Sequence, residues 1–335
     1  MDPHDSSTIE QAVLAVLTGT PIAEAAEWAG SSPEHLAEAT ARYRSAGRTA
    51  LSAPPDTSIW HQVNIEFADY PTAEHTFLAY LLPPLRQETE AGTVGAWWFI
   101  RKYPCWRLRV ISGRDSTCKE LPERLTGALD SAVAQEAVKR WCPMLYEPET
   151  TAFGGPEGIK IAHDLFHVDS VGSLDYLHRT RTADDKRLDA NSTSLLVISA
   201  NSTSLLVISS LLRAAGQEWS EQGDVWARVE AKRPLPDDVP VDRVTAMTSA
   251  LRTLLAIDTR LARADMEQLA PYTDWLAGME RNGQALAHAG NAGRLGLGIR
   301  GILARHVVFH WNRMGFTTRR QAIWARAARE TILGN

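Results

Sequence analysis

The spacing of apolar residues changes character twice along the chain. Over residues 8–47 it is helical, as in IEQAVLAVL, and predicts three short helices. Thr20-Pro21 opens the second, and Ser32-Pro33 opens the third, with Ser32 as its cap and Gly47 as its stop. From Trp60 the pattern alternates: Trp60, Val63, Ile65 and Phe67 mark a strand in WHQVNIEF. A helix over 73–90 follows, then strands VGAWWFIRK and WRLRVIS on either side of a Tyr103-Pro104 break. A helix over 116–138 and a short extended piece ending at Tyr146 complete the unit. The remainder reads as helix over about 157–180, 192–217, 219–231, 241–262, 264–290, 297–314 and 317–333, with breaks at Gly154-Gly155-Pro156 and Pro234-Leu235-Pro236.

This order predicts an α+β fold: a mainly antiparallel sheet with covering helices, then a helix-rich half. Residues 1–50 form a small helical module in front of it, residues 51–57 around Ala53-Pro54-Pro55 read as a linker, and residues 58–335 form the main domain. The module has the cadence of a helix-turn-helix with Gly30 at the turn. Its three arginines face seven carboxylates, and that balance of −4 repels phosphates, which favours docking on protein over binding DNA.

NSTSLLVIS occurs at 191–199 and again at 201–209 without a mismatch. Solenoid periods are longer and degenerate, so the repeat is no fold signal. Ten extra residues advance a helix by about 2.8 turns and rotate the following face by ~80°. One copy must therefore loop out or stand in for the other, and one copy is expected to be dispensable.

At 335 residues, 44% hydrophobic and 22% charged, the composition is that of a soluble globular protein able to bury a substantial core. The polar, acidic N-terminus is unlike a signal peptide, and no apolar run reaches the ~18 residues that span a bilayer. Cys105, Cys118 and Cys142 lack metal-type spacing, and their odd number suits a reducing cytoplasm. The net charge of −5 gives no general affinity for polyanions. Locally, residues 101–124 carry seven Lys or Arg against three acids, and 294–330 carry eight arginines against Glu330 alone. Either these are basic strips for an acidic partner, or they are arginine-rich helix surfaces.

Strand alternation in WRLRV puts Arg107 and Arg109 on one face, a forked donor site for a carboxylate or amide oxygen, or else a solvated sheet face. In the preceding strand Arg101, sharing a face with Trp97 and Phe99, is expected to extend this cationic floor. Near the C-terminus His306, His310 and Arg313 fall at i, i+4 and i+7, so they share one stripe. They are read as a general acid/base stripe facing a pocket, or as packed histidines. His163 and His167 repeat the spacing, with Ser170 on the same stripe. Without HExxH or cysteine ligands, these pairs do not make a zinc site, and no metal is expected. LGLGIRG at 295–301 reads as helix packing; there is no phosphate loop, GxSxG elbow or dinucleotide fingerprint, and no cofactor is expected.

The blocks WHQVNIEF, LLPPL, WWFIRK and WRLRV, then YEPETTAFGGPEGIKIAHDLF and HVVFHWNRMGF, resemble thiopeptide-type bacteriocin biosynthesis proteins. These are small stand-alone relatives of the C-terminal elimination domain of lantibiotic dehydratases. The resemblance covers about residues 58–325 and leaves the N-terminal helices as an extra module. It implies one of two activities on a modified precursor peptide. One is glutamate elimination from glutamylated Ser or Thr. The other is the pyridine-synthase reaction, a formal 4+2 cycloaddition of two dehydroalanines followed by loss of water and leader peptide. Eliminating domains carry arginines in a YxRExxRYGG-like block, where this chain has YEPETTAFGG with Pro148 and Ala152. A leaving carboxylate then lacks part of its charge partner, which favours cyclisation. Under that reading Arg107, Arg109, Tyr146, His306 and His310 carry proton transfer and oxygen stabilisation, while Trp98, Arg101, Trp311, Asn312 and Arg313 bind substrate. The expected partners are a leader-bearing precursor and a separate glutamylating dehydratase, with neither DNA nor membrane. A homodimer is allowed, and a non-catalytic precursor-binding module is the remaining alternative.

Overall fold

The computed structural model describes residues 6–52, 60–113, 120–189, 200–259 and 267–334, which divide into two compact units, Met1–Ile59 and Trp60–Asn335. In the first, α1 (Ser6–Leu17), α2 (Ile22–Trp28) and α3 (Pro33–Ser52) close on Ala12, Val13, Ala25, Ala26, Ala29 and Leu36. Alanines dominate because three short helices must approach closely to share so small a core. Gly30 takes φ +63° at the turn, and Ser32 caps α3 by accepting the His35 N–H at 3.1 Å. Gly47 does not stop this helix, which runs on to Ser52; a glycine inside a helix costs only about 1 kcal/mol. The first two residues of the expected linker thus belong to α3, and 53–57 lie outside the described residues.

The second unit is α+β, as its hydrophobic pattern predicts. Strands β1 (His61–Phe67), β2 (Val94–Lys102), β3 (Cys105–Ser112) and β4 (Val138–Met144) form one antiparallel sheet in the order β2-β3-β1-β4. One face presents Val63, Ile65, Phe67, Trp97, Phe99, Trp106, Leu108 and Val110 to a core closed by α4 (Ala73–Thr76), a π-turn (Phe77–Leu81), α5 (Leu82–Glu90) and α6 (Glu120–Ala134). Here Phe99 stacks on Trp106 at 5.0 Å and Phe77 on Trp106 at 5.2 Å. Burying each such ring contributes roughly 1.5–3 kcal/mol. The helix expected to reach residue 138 ends at Ala134, because Glu136 adopts φ +57° and turns the chain into β4. Cys105 and Cys142 are free thiols, and Cys118 lies outside the described residues.

The helical half comprises α7 (Pro156–Asp189), α8 (Ala200–Ala214), α9 (Trp219–Lys232), α10 (Val241–Thr245), α11 (Thr248–Ala256), a 3-10 turn (Glu267–Tyr272), α12 (Thr273–Asn291), α13 (Ile299–Arg313) and α14 (Thr318–Leu333). The helix expected over 241–262 is broken between α10 and α11. The one expected from 264 begins at Thr273, after Pro271 has removed a backbone donor. α12 lies hard against α7: a Cβ on Gly172 would sit 2.1 Å from the Trp275 ring, and one on Gly278 would sit 2.4 Å from Val168. The second NSTSLLVIS copy forms the heart of α8, where residues from Thr203 to Leu212 are buried; the first copy lies outside the described residues. Among the described residues no helix is long and apolar enough to cross a membrane.

The two layers meet at the free edge of β2. Alternate backbone N–H groups of this strand point outward and are taken by helix side chains. Ser170 accepts from Phe99 at 3.3 Å, and Asn312 accepts from Arg101 at 2.7 Å while its amide donates to the Arg101 carbonyl at 2.8 Å. His167 Nδ1 lies 3.2 Å from the Trp97 nitrogen and 2.9 Å from its carbonyl, so its tautomer decides which bond forms. Helices α7 and α13 thus stand where a fifth strand would pair. Replacing Asn312 with Ala should leave a buried edge N–H and C=O unpaired and lower stability by about 2 kcal/mol, measured as a shifted urea midpoint with unchanged m-value.

Candidate functional site

The other sheet face is polar: register places Gln62, Asn64, Trp98, Ile100, Arg107 and Arg109 on it. Where this face meets α7 and the segment after β4, aromatic groups gather around one guanidinium. Arg109 lies 4.0 Å over the Trp98 ring and 4.9 Å from Tyr146, and its Nε donates to Gln62 at 2.8 Å. Tyr146 Oη and His163 Nε2 are 2.8 Å apart, and Trp60 packs on His163 at 4.8 Å. Trp98 and Arg109 are buried, while Trp60, Arg107, Tyr146 and His163 are half-buried, so the cluster has a buried floor and a partly exposed rim, a candidate cleft.

Burial sets the protonation of this cleft. It pushes the Tyr146 phenol up to about 12 against the attraction of Arg109, so the hydroxyl is held protonated. It lowers Arg109 to about 10, with Arg107 and Arg313 adding repulsion, yet the guanidinium is still charged at neutral pH. Arg109 Nη1, Trp98 Nε1, and Arg313 Nε and Nη2 are buried with no hydrogen-bond partner among the described residues. Two guanidiniums with unused donors beside one indole form a site suited to an oxygen carrying negative charge.

Behind the cleft lies a second polar group, wholly buried. Asp169 of α7 accepts from His310 Nδ1 at 2.7 Å, Arg313 Nη1 at 2.9 Å and Trp275 Nε1 at 3.2 Å. His310 Nε2 meets Ser204 Oγ at 2.9 Å, and that oxygen also accepts from Trp311 Nε1 at 3.0 Å. Burial alone would raise the Asp169 carboxyl; His310 and Arg313 outweigh it and hold the group ionised, below the usual carboxylate range. From this anchor Arg313 reaches forward to Phe166, 4.8 Å from its ring, and to within 5.9 Å of Trp98.

Of the residues expected to form one site, the structure brings together Trp98, Arg107, Arg109 and Tyr146, with Arg313 entering from behind. His306, His310 and Arg313 do share a stripe, but it faces the interior rather than a pocket. His310 is fully buried with both nitrogens bonded, and His306 sits against Phe153 and Phe166 with neither nitrogen bonded among the described residues. Trp311 packs on Trp226 in the core and lines no cleft. Arg101 projects from the opposite sheet face, paired with Glu74 and the Arg313 carbonyl, and does not extend the cationic floor. Asn312 is held by the β2 edge. Seven of the eight C-terminal arginines, all except Arg320, have carboxylate partners, so this run is largely an ion-paired helix surface. His163 and His167 serve different neighbours, and no group of three or more His, Cys, Asp or Glu suited to a metal gathers among the described residues. Sequence reasoning missed Asp169, Gln62 and Ser204; the signal for Asp169 was a carboxylate inside the apolar stripe of IAHDLFHVDS.

The family model described as "Lantibiotic biosynthesis dehydratase C-term" matches residues 60–332. The chain belongs to this family. Among solved structures it is similar to the tRNA-dependent lantibiotic dehydratase MibB from Microbispora sp. 107891. That likeness has a TM-score of 0.59 at 18% identity and covers 84% of this chain but only 28% of MibB. It is similar to TsrL with a TM-score of 0.56 at 19% identity, covering 83% of this chain and 96% of TsrL. It is also similar to TbtD, the pyridine synthase of thiomuracin biosynthesis, with a TM-score of 0.55 at 12% identity, covering 82% of this chain and 97% of TbtD. At these identities the likeness establishes the shared fold. No curated protein matches the sequence.

His306 provides a test of the interior. Burial, with Arg313 adding repulsion, drops its imidazole from 6.5 to about 3. The unfolded chain therefore binds a proton across that window that the folded protein refuses. Stability should fall as pH falls from about 6.5 towards 3, by about 1.4 kcal/mol per unit from this group. In His306→Phe that component should vanish, read from urea midpoints at successive pH values.

Proposed function

We propose that this protein matures a ribosomally made peptide of the thiopeptide type, closing a six-membered nitrogen ring between two dehydroalanines. The observation that carries this reading is the hydrogen-bonded Tyr146–His163 pair, packed against Arg109 in a cleft walled by Trp60 and Trp98. Cyclisation requires an amide to pass to its iminol tautomer, so a proton must leave nitrogen and arrive at oxygen. Protonated Tyr146 supplies it at oxygen, His163 accepts from nitrogen, and their contact restores both. Arg109 and the indole N–H of Trp98 stabilise charge building on that oxygen. The tryptophan walls hold the two alkenes face to face, where proximity supplies much of the rate. Two carbon–carbon bonds form, after which water and the leader amide depart. That the chain covers 97% of TbtD, a pyridine synthase, and 96% of TsrL supports this reading.

Glutamate elimination is the second reading, supported by the unused donors of Arg109 and Arg313, which also suit a departing carboxylate. Pro148 and Ala152 count against it, since neither contributes charge. Incubating the protein with glutamylated and with dehydroalanine-bearing precursor separates the readings by mass. Ring formation with leader loss supports the first, glutamate loss the second, and tight binding without mass change a non-catalytic recruiter. For the cyclising reading, Tyr146→Phe and Arg109→Lys should each lower kcat/KM by about 100-fold while leaving the unfolding midpoint within about 1 kcal/mol. Full turnover by both variants would remove this cleft from the chemistry.

A further inference from the structure

Across the polar sheet face, register lines up Trp98, Arg109, Gln62 and Met144 in one row, and Ile100, Arg107, Asn64 and Cys142 in the next. Gln62 stands inside the first row and is 7% exposed. Its neighbours orient its amide. An arginine can only donate, so the group facing Arg109 must be Oε1, which accepts from Nε at 2.8 Å. Nε2 is thereby turned to Asn64, whose Oδ1 accepts it at 3.2 Å. With both ends of the amide engaged, Gln62 fixes the rotation of the guanidinium within its plane. The rings of Trp98, at 4.0 Å, and Tyr146, at 4.9 Å, fix the tilt of that plane.

The chemistry of this partner sets Arg109 apart. Arg313 pairs with Asp169 at 2.9 Å and Arg101 with Glu74 at 2.8 Å, as deeply placed cations commonly do. Arg109 has no carboxylate partner among the described residues, and a neutral oxygen holds it instead. The carboxylate of β1, Glu66, shares the polar face but lies four residues on, about 13 Å along a strand. It is engaged there by Lys139 and Arg140.

A carboxylate at position 62 would hold Nε at least as firmly, and at that distance it would cancel much of the charge on Arg109. An amide gives direction without neutralisation. The edge of the guanidinium away from Gln62 stays available: Nη1 is buried without a partner among the described residues, and the two Nη groups form a fork of donors.

We propose that Gln62 is the positioning residue of Arg109, holding it through Nε so that the Nη fork and its undiminished charge serve an oxygen of the peptide substrate, a reading that rests on the proposed function. Gln62 acts through Arg109 and touches no reacting atom. An amide with a merely structural role could be exchanged for a carboxylate, since the contact would only tighten. A positioning amide could not, because the exchange removes the charge on which the oxygen depends.

The test compares Gln62→Glu with Gln62→Met, which keeps the length of the side chain and loses its acceptor. With the dehydroalanine-bearing precursor, Gln62→Glu should lower kcat about 100-fold and leave KM within about threefold, since charge on the oxygen builds only in the transition state. Gln62→Met should lower kcat about tenfold, through a guanidinium free to turn. Urea midpoints near the wild-type value should show that lost turnover is not lost folding. A readout without turnover is the Nε–H signal of Arg109 in protein carrying isotope-labelled arginine, assigned by its loss in Arg109→Lys. It should exchange slowly with water in the wild type and in Gln62→Glu, and about tenfold faster in Gln62→Met. Full turnover by Gln62→Glu, or an Nε–H that exchanges no faster in Gln62→Met, would overturn the proposal. Either variant decides alone should the other fail to fold. A wild-type protein that leaves precursor masses unchanged would sink the proposed function, and the exchange of Nε–H would then judge the hold of Gln62 by itself. Turnover by the wild type with Gln62→Glu unimpaired would keep the function and sink the positioning role.

Discussion

The α+β unit hangs on one buried carboxylate. Asp169 lies in the middle of α7 at zero exposure, and an ion in that position is tolerable only if donors surround it. Those donors come from elsewhere in the chain: Trp275 on α12, and His310 and Arg313 on α13. Ser204 on α8 joins through His310, so four helices are registered against a single charge. Replacing such a network by apolar residues is often neutral in stability, so its value lies in geometry. A slip of one turn in α13 would strand Asp169 and Arg313 together.

That geometry reaches the cleft through α13. Arg313 gives one donor to Asp169, leaves Nε and Nη2 without a partner among the described residues, and lies 4.8 Å from the Phe166 ring and 5.9 Å from that of Trp98. One residue earlier, Asn312 fixes the same helix to the open edge of β2, and on α7 Ser170 does so from beside Asp169. The sheet, whose polar face carries Arg107 and Arg109, is thereby held at a set distance from the helices.

Much of the architecture was legible because periodicity reports which face is buried. WHQVNIEF and WRLRV alternate, and the register places Gln62 opposite Arg109 as alternation requires. Helix ends were less legible: Gly47 reads as a stop yet lies within α3, and the predicted end of α6 overran a turn set by Glu136. Local cues state a preference of about 1 kcal/mol, which packing overrides. The shared face of Arg107 and Arg109 follows from strand alternation, whereas Trp98 and Tyr146, distant in sequence, meet only through the fold. The histidine stripe did not resolve in the same way, since i, i+4 spacing fixes a shared face and says nothing of what that face meets.

The sequence alone determined the sheet, its polar face with Arg107 and Arg109, and the helical half, because these depend on spacing within single elements. The tertiary structure alone decided which polar residues meet solvent. It placed His310 in the core beside an aspartate 141 residues away, sent Arg101 to the opposite face, and gave Tyr146 its partner in His163. Burial and hydrogen-bond partners arise from contacts between elements, and no pattern within one element encodes them.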